Sequence, residues 1–225
     1  MSLLLLSDPP FTPKSIPGLK LWLKADAITG LVDNDPVGTW PDVSGNGNDA
    51  IQLTAAQKPL YKIAILNGYP VVRFDGVDDF CQAAGLGTIV QPLTIVMVVL
   101  TTSTATNKTP FDSIATTACT VYFNTTMRLN AGLEFTVAGD TSWHVVSAVI
   151  NGTTSALVKD GVVTSGNAGT NSLTTGLRLG VSRLGSATFL PGDIAEVCLY
   201  IRALADSDRR RLESYLGSKY GITVS

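Results

Sequence analysis

The sequence predicts an all-β fold: a sandwich of two antiparallel sheets, followed by one helix at the C-terminal end. Three observations predict it. The chain contains many short apolar segments of strand length, turns rich in Gly, Thr, Ser and Asn separate them about every ten residues, and only the last segment has apolar residues at helical spacing. With 225 residues, 45% of them hydrophobic, the chain suits a single domain with a sizeable core.

The strand segments show two patterns. Residues 19–24, LKLWLK, alternate leucine with lysine or tryptophan, which is typical of a strand with one buried face. Residues 93–100, LTIVMVVL, form a continuous apolar run, which is typical of a strand buried on both faces. The pairs Asp75-Gly76 and Asp160-Gly161 each predict a hairpin turn. We expect the core to include Leu21, Leu23, Phe74, Ile95, Val99, Val146, Ile194 and Leu216.

A helix is predicted over residues 206–220, DSDRRRLESYLGSKY. Asp206 is expected to cap its first turn, and Gly221 can adopt the left-handed conformation that ends a helix. The apolar residues of this segment recur every three or four positions, so they form one face that we expect to dock on the sandwich. That face consists of Leu212, Tyr215, Leu216 and Tyr220.

Residues 1–18 are predicted to form an extended N-terminal arm, and residues 19–225 the sandwich domain with its helix. Four prolines interrupt the arm, and its leucine cluster has no apolar neighbours in sequence to pack against. An exposed apolar segment marks an interface. We therefore expect the arm to contact other subunits, in a homo-oligomer or on a virion. The alternative is that the arm folds back over its own sandwich. The expected contact residues are Leu3, Leu4, Leu5, Leu6 and Phe11.

Composition excludes several classes of partner. Charged residues make up only 15% of the chain, the net charge is −2, and no basic stripe is present, so nucleic acid is not an expected partner. The longest apolar run, residues 95–100, is too short to cross a membrane. The first residues lack the basic segment and the longer apolar core of a signal peptide, so no export by the general secretory route is expected. Three scattered cysteines predict buried apolar residues instead of disulfides.

The segment WPDVSGNGNDA, residues 40–50, predicts a compact loop closed by its own side chains. Its oxygen atoms could also bind a hard cation such as calcium, although the EF-hand pattern is missing. A second cluster of aspartates lies in FDGVDDF, residues 74–80, where turn formation is the main interpretation and a calcium or ligand rim the alternative. No cofactor is required by the sequence, and calcium is the one it could use. The candidate calcium ligands are Asp42, Asn46, Asp75, Asp78 and Asp79.

Five motifs occur in order between residues 17 and 222: PGLKLWLKAD, WPDVSGNGNDA, YPVVRFDGVDDF, GDIAEVCLYIRAL and a helix ending in KYGI. Together they resemble the laminin-G-like, concanavalin-A-like jelly-roll family, as found in phage structural and bacterial surface proteins. The resemblance implies two stacked, curved antiparallel sheets, a loop at residues 40–50 that ties the first strand to the sandwich, and in many members calcium at a loop rim. It also implies carbohydrate or protein ligands.

No catalytic residue is predicted. Glycoside hydrolases with this jelly roll carry two glutamates on one strand in an E-x-D-x-E pattern, whereas Glu134, Glu196 and Glu213 are far apart in sequence. His144 is the single histidine, on the opposite strand face from Trp143, and no G-x-S-x-G motif supplies a nucleophile for it. It is therefore interpreted as a surface or half-buried strand residue, and the protein as a non-enzyme.

Two functional hypotheses follow. In the first, the chain is a phage virion component, such as a head decoration, fibre or tail protein, made in the host cytoplasm and in contact with other virion subunits through its arm. In the second, it is a carbohydrate-binding module of a bacterial surface or secreted protein, with sugars stacked on an exposed aromatic ring. The candidate aromatic residues are Trp40, Tyr61 and Tyr69, and the alternative for each is ordinary packing.

Overall fold

The structure, a computed structural model, describes residues 10–115, 117–185 and 188–225. These residues contain sixteen strands, one α-helix and five short 3-10 helices. The strands are β1 Leu19–Lys24, β2 Thr39–Trp40, β3 Ala50–Ile51, β4 Leu60–Leu66, β5 Tyr69–Asp75, β6 Cys81–Ala83, β7 Leu93–Thr101, β8 Lys108–Ser113, β9 Thr120–Phe123, β10 Thr126–Asn130, β11 Glu134–Ala138, β12 His144–Ile150, β13 Ser155–Lys159, β14 Val162–Gly166, β15 Leu177–Leu179 and β16 Pro191–Tyr200. The α-helix α1 is Asp206–Tyr220, and the 3-10 helices are Pro13–Ser15, Ala25–Ala27, Ala55–Gln57, Ala84–Leu86 and Gly152–Thr154.

The strands form two sheets whose paired strands are all antiparallel. The helix-side sheet has the order β14-β13-β12-β7-β16-β5-β4, and β1 also pairs with β16. The open sheet has the order β11-β10-β9-β8-β15-β6-β3-β2. The predicted two-sheet antiparallel sandwich with one C-terminal helix is therefore confirmed.

The core lies between the two sheets, where alternate residues of each strand meet. Every one of the eight residues predicted to be buried is 0% or 1% exposed. Residues 93–100 form all of β7 except its last residue. The strand is buried on both faces, as expected, because α1 covers one face and the core the other.

One of the two predicted hairpins forms. Asp160 and Gly161 have φ angles of 50° and 84° and join β13 to β14 in a two-residue turn. The prediction at Asp75-Gly76 is wrong, because β5 belongs to the helix-side sheet and β6 to the open sheet. This turn instead carries the chain from one sheet to the other. Gly76 has a φ angle of 78°, and a Cβ on it would lie 2.6 Å from Cβ of Pro191.

The helix α1 has the predicted bounds and covers the outer side of the helix-side sheet. Leu212, Leu216 and Tyr220 are at most 1% exposed and pack against outward-facing residues of β7, β12 and β16. Gly221 ends the helix with a φ angle of 69°, as predicted. Asp206 does not cap it: the N-cap residue is Ala205, and the Asp206 carboxylate pairs with Arg209 Nη2 at 3.2 Å.

The cover by α1 also buries the second face of β1. Trp22, on the face that alternation assigned to solvent, is 7% exposed. Its indole N–H donates to Glu196 Oε1 at 2.6 Å, and Glu196 Oε2 accepts from Lys219 Nζ at 2.8 Å and from the Tyr220 hydroxyl at 2.9 Å. Hydrogen-bond donors from β1 and α1 therefore surround a fully buried carboxylate of β16.

A second buried ion pair lies under the same helix. Arg209 Nη1 donates to both oxygens of Glu213, at 2.8 and 2.7 Å, and the Ser147 hydroxyl of β12 donates to Glu213 Oε1 at 2.6 Å. The side chains of Arg209 and Glu213 are each 1% exposed. The face of α1 that packs on the sheet is thus apolar apart from two networks, and in each network the charged groups are hydrogen-bonded to one another.

The described part of the N-terminal arm packs on its own domain. The ring of Phe11 lies edge-on to Tyr215 of α1, with centroids 5.6 Å apart, and the Arg211 guanidinium lies 4.5 Å from the Phe11 centroid. Ile16 is 3% exposed, and the Tyr200 hydroxyl donates to the Pro13 carbonyl at 3.0 Å. These contacts agree with the fold-back alternative, and the predicted subunit contact of Phe11 stays a prediction. The leucines at positions 3–6 lie outside the described residues, so their predicted assembly role stays a prediction.

Other predictions about the whole chain can be compared with the described residues. None of the helices in them is long and apolar enough to cross a membrane. All three cysteines are buried, as predicted, and burial raises the pKa of the Cys81 thiol to about 12. They serve as apolar core residues.

Candidate functional site

The outer side of the open sheet is polar, because its strands alternate apolar residues toward the core with polar residues toward solvent. In β9 and β10, Val121, Phe123, Met127 and Leu129 belong to the core. The alternate positions of the open sheet therefore point outward, and α1 lies on the other sheet. The outward-facing residues are Gln82, Asp112, Tyr122, Arg128, Asn130 and Arg178.

A cavity of about 460 Å³, which we call the Tyr122 cleft, opens on this outer side. Its wall contains one aromatic ring, that of Tyr122, among amides, hydroxyls, one carboxylate and one guanidinium. Four separate segments of the chain contribute to it: residues 107–122, 130–132, residue 171 and residues 182–188. The polar lining residues are Asn107, Thr109, Asp112, Thr117, Thr120, Asn130, Asn171, Ser182, Arg183 and Thr188.

Asp112 organises one wall of the Tyr122 cleft. Its side chain is fully buried and accepts hydrogen bonds from the backbone N–H groups of Ser113, Cys119 and Arg183, at 2.8, 3.2 and 3.0 Å. The Arg183 guanidinium lies 3.2 Å from Oδ2. Burial raises the pKa of Asp112, and these hydrogen bonds oppose that effect. The carboxylate thus holds the backbone at Ser113, Cys119 and Arg183 together.

Tyr122 is held in a fixed orientation on the cleft. Its hydroxyl donates to Glu134 Oε2, and Arg128 donates to Glu134 Oε1 at 2.8 Å. The Arg128 guanidinium carbon also lies 5.8 Å from the Tyr122 ring centroid. Burial and the hydrogen bond to Glu134 raise the pKa of Tyr122 above its ordinary value. Glu134 holds the hydroxyl and the Arg128 guanidinium lies over the ring, so this partly exposed ring has a fixed orientation. An oriented aromatic ring can stack on a flat apolar ligand surface.

The aromatic residues chosen from the sequence do not lie in this cleft. Trp40 is 0% exposed and Tyr61 is 8% exposed, so the prediction that they stack on sugars is wrong: their rings are packed in the core. Tyr69 is half-buried on the helix side, where its ring lies 5.4 Å from that of Tyr220 and 5.0 Å from Lys219 Nζ. Of the three, only Tyr69 keeps part of its ring in solvent.

The loop at residues 40–50 is a self-bonded structural loop. Asp42 Oδ1 accepts from the backbone N–H groups of Trp22 and Ser44 at 2.9 and 2.8 Å, and Oδ2 accepts from the backbone N–H of Asn48 at 3.0 Å. The Asn46 amide donates to the Leu19 carbonyl at 3.2 Å. Burial alone would raise the pKa of Asp42, but the hydrogen bonds to the carboxylate outweigh burial, and the net shift of the pKa is downward. The loop therefore ties β1 to the sandwich, as the resemblance implied.

The five candidate calcium ligands do not form one group. Among the described residues, the potential ligand atoms of Asp75, Asp78 and Asp79 lie within 4.8 Å of one another, and Asp42 is not part of that group. Both carboxylate oxygens of Asp42 instead accept hydrogen bonds within the loop and from β1, and the calcium role of the five residues stays a prediction. Asp75 Oδ1 accepts three backbone N–H groups of its own turn. The aspartate cluster is therefore a turn that crosses between sheets.

Asp79 is the buried member of this cluster, at 6% exposed, and its Oδ2 accepts from the Asp75 N–H at 3.0 Å. Burial and the nearby charges of Asp75 and Asp78 raise its pKa to about 7. Three carboxylates so close together repel one another when ionised.

His144 is buried, whereas the sequence predicted a surface or half-buried strand residue. It is 5% exposed, with Nδ1 2.6 Å from Asp160 Oδ2 and Nε2 2.8 Å from Asp140 Oδ1. Lys159 Nζ lies 3.1 Å from the other Asp140 oxygen. Since both ring nitrogens face carboxylate oxygens, both carry protons in this geometry. Burial lowers the pKa of His144, but the two aspartates more than offset it, and the net shift is upward.

Sequence reasoning missed the residues of the Tyr122 cleft. Asn107 and Asn171 lie in Thr- and Asn-rich stretches that predict only surface loops. Their convergence depends on the pairing of β8 with β9 and β15, which brings distant segments together. The one local signal was the alternation of residues 120–130, in which Tyr122, Arg128 and Asn130 occupy the polar positions and the apolar residues occupy the other face.

Comparisons with known proteins identify the fold. No family model and no curated protein sequence matches the chain. Domain 4 of AbnA, a GH43 extracellular arabinanase from Geobacillus stearothermophilus, in complex with arabinotriose, is similar with a TM-score of 0.61 and 14% identity over 87% of this chain and 98% of that one. A GH54 α-L-arabinofuranosidase soaked with a cyclic sulfate inhibitor is similar with a TM-score of 0.63 and 12% identity, over 82% and 51%.

A Trypanosoma rangeli sialidase in complex with sialic acid is also similar, with a TM-score of 0.57 and 16% identity. This chain is covered over 93% of its length but spans only 34% of the sialidase chain. At such identities the likeness concerns the fold: the chain shares its β-sandwich with domains of glycoside-acting enzymes. The two-sheet antiparallel sandwich is confirmed, and the resemblance to the laminin-G-like, concanavalin-A-like family stays a prediction.

Proposed function

We propose that this chain is a non-catalytic carbohydrate-binding module whose ligand lies in the Tyr122 cleft. The observation that carries the proposal is an uncovered, polar sheet face in which one oriented tyrosine ring is surrounded by amides and hydroxyls. Sugar rings present an apolar face that stacks on aromatic side chains, and their hydroxyl groups pair with amide and hydroxyl partners.

The arrangement of charges supports binding over hydrolysis. The two carboxylates nearest the cleft are both engaged: Asp112 by three backbone N–H groups and Arg183, and Glu134 by Tyr122 and Arg128. Glycoside hydrolysis needs one carboxyl that donates a proton and another that attacks or activates water. Carboxylates held this tightly by hydrogen bonds are suited to organising a site.

The fold comparisons support the same hypothesis at a distance, since domains of similar fold occur in enzymes that act on glycans. The virion hypothesis has no comparable support and rests on sequence alone. A glycan-binding module acts where glycans are exposed, which agrees with the alternative localisation at a bacterial extracellular surface.

Calorimetry with a panel of soluble oligosaccharides, arabinotriose among them, tests the proposal. We expect at least one to bind, and Tyr122→Ala to weaken that binding about tenfold, or ~1.4 kcal/mol. Tyr69→Ala is the matched control, because Tyr69 is the half-exposed aromatic on the opposite sheet. Binding lost with Tyr69→Ala but kept with Tyr122→Ala would move the site to the helix side. No binding across the panel contradicts the proposal, and release of new reducing ends contradicts its non-catalytic part.

A further inference from the structure

Arg178 lies at the centre of the outer side of the open sheet. It is the middle residue of β15, which pairs with β8 on one side and β6 on the other. Its partners across these ladders are Asp112 and Gln82. Any ligand that extends from the Tyr122 cleft across the sheet toward β3 must pass over this side chain.

The guanidinium of Arg178 is positioned by neutral groups. It lies 5.3 Å from the Phe80 ring centroid. With the Gln82 amide turned so that its oxygen faces the guanidinium, that oxygen accepts from Nη2 at 2.7 Å and from Nε at 2.8 Å. Nη1 donates to the Ser182 carbonyl at 3.3 Å. These contacts leave one N–H on each terminal nitrogen without a hydrogen bond to a described residue.

The local charge is positive. Asp112 is the carboxylate that faces Arg178 across the ladder, but Asp112 is already paired with Arg183. Two guanidinium groups thus face one carboxylate, which pairs with Arg183 alone. Among the described residues, no carboxylate oxygen lies within 4.0 Å of a guanidinium nitrogen of Arg178. Burial lowers the pKa of Arg178, and Asp112 offsets this only in part. A half-buried cation in this state gains from an anionic ligand group more than an exposed one does.

Arg178 also connects two cavities. Ser182, its carbonyl partner, lines the Tyr122 cleft. Phe80 and Gln82, its other partners, line a second cavity of about 510 Å³ over β3 and β6. From β9 to β3 the sheet order gives four strand spacings, about 19 Å at ~4.8 Å each. On this face of the sheet Arg178 therefore lies between the two cavities, and the three together mark a path long enough for several sugar units.

We propose that this path binds an acidic polysaccharide that contains uronic acid units, with one uronate carboxylate on Arg178 and neighbouring sugars in the two cavities. The inference rests on the proposed carbohydrate-binding function. A planar guanidinium with one free N–H on each terminal nitrogen can hold a carboxylate through two parallel hydrogen bonds. The stack on Phe80 and the bond to Gln82 fix its plane before the ligand arrives.

The test uses oligogalacturonate, oligomannuronate and hyaluronan fragments, each paired with its carboxyl-reduced neutral form of the same length. Binding is measured by calorimetry on the full chain. We expect at least one acidic form to bind tenfold or more tightly than its reduced partner. Arg178→Gln should bring that ratio close to one while leaving affinity for the reduced form within about twofold.

Two further variants sharpen the result. Arg210→Gln, on the exposed side of α1, is the matched control and should leave the preference unchanged. Arg178→Lys keeps the charge but loses the paired N–H geometry, so it should keep only part of the preference. Melting temperatures of all variants are compared with wild type, and a variant that binds the reduced form normally is folded at the site.

Each other outcome has one meaning. Equal binding of acidic and reduced forms, or binding of neutral glycans alone, overturns the inference and leaves the carbohydrate-binding proposal standing. A preference for acidic forms that survives Arg178→Gln overturns the assignment to Arg178. No binding of any acidic, reduced or neutral glycan overturns both proposals.

Discussion

The two outer faces of this sandwich both consist of antiparallel strands, but the residues that point outward are mainly apolar on one face and polar on the other. On the helix-side sheet, outward residues such as Val96, Val98 and Cys198 are apolar and lie beneath α1. On the open sheet, the equivalent positions carry Tyr122, Arg128 and Arg178, and they face solvent. Polar groups on the first face are buried and matched to each other. The difference indicates that one face stabilises the fold while the other is available for a ligand.

The largest expected difference between the two faces is in the stability lost when one charged group is removed from each. Glu213→Gln removes the buried counter-ion of Arg209 and leaves it only the exposed carboxylate of Asp206, and we expect a loss of about 3–5 kcal/mol in the free energy of unfolding. Glu134→Gln removes the half-exposed partner of Arg128 on the open sheet and should cost about 0–1 kcal/mol. Urea denaturation of both variants measures the contrast. Replacing the pair together, as Arg209→Met with Glu213→Leu, should recover most of the first loss; equal small losses for both single variants would contradict the distinction.

The same contrast applies to apolar residues. Leu216 is 0% exposed under the helix, so Leu216→Ala should cost about 2–5 kcal/mol through lost burial and the cavity it leaves. Leu184, on the rim of the Tyr122 cleft, is 70% exposed, and Leu184→Ala should change stability by about 0.5 kcal/mol or less. Chemical denaturation checks both. A loss below about 1 kcal/mol for Leu216→Ala would mean that α1 contributes little to the core.

A third prediction concerns the histidine at the start of β12. The pKa of His144 is raised in the folded protein, so its contribution to stability is complete below its unfolded pKa of about 6.5. That contribution is lost as pH rises through the higher folded pKa, when the imidazole loses a proton that one aspartate needs. Unfolding free energies measured from pH 6 upward should therefore decline, and His144→Gln should flatten the decline. An unchanged slope in that variant would remove His144 from the explanation.

The smallest expected effect involves the turn that joins the two sheets. The folded pKa of Asp79 is about 7, above its ordinary 3.8, so ionising it costs stability as pH rises between these values. The calcium hypothesis requires the ionised cluster, so it predicts that millimolar calcium raises the melting temperature more at pH 8 than at pH 6. Asp79→Asn should remove the calcium effect and also raise stability at pH 8 without calcium. Melting curves that coincide with calcium and with chelator would exclude calcium as a cofactor.

Short-range patterns predicted most of the fold. Strict alternation at residues 19–24, the apolar run at residues 93–100 and the helical spacing at residues 206–220 each depend on a local periodicity, and each element formed where expected. The Asp75-Gly76 hairpin failed because a turn sequence specifies that the chain reverses, not which sheet receives it. Trp22 was misassigned because α1, from the far end of the chain, covers a strand face that alternation alone leaves open.

The candidate site was much less predictable. Trp40 and Tyr61 were predicted to be exposed aromatic residues, yet both lie in the core. Whether such a ring is buried depends on partners that are distant in sequence. Tyr122 and Arg178 become part of one surface only when β9, β8, β15 and β6 are placed side by side. Asp42 was a fair candidate for a metal because its oxygens are suitable ligands, but the backbone N–H groups of Trp22, Ser44 and Asn48 already occupy them.

The position of β16 has a consequence for how the chain folds. This strand lies between β7 on one side and β5 and β1 on the other, yet it is the last strand in the sequence. Until it is in place, β7 has a bare edge and β1 has no sheet partner. Contacts between such distant segments slow folding, because the connecting chain must be closed before pairing gives any gain. During synthesis, β12, β13 and β14 can pair with β7, and β4 with β5, but the joining of these two groups and the pairing of β1 must wait for β16. The unpaired edge of β7 is open to association with other chains in that interval.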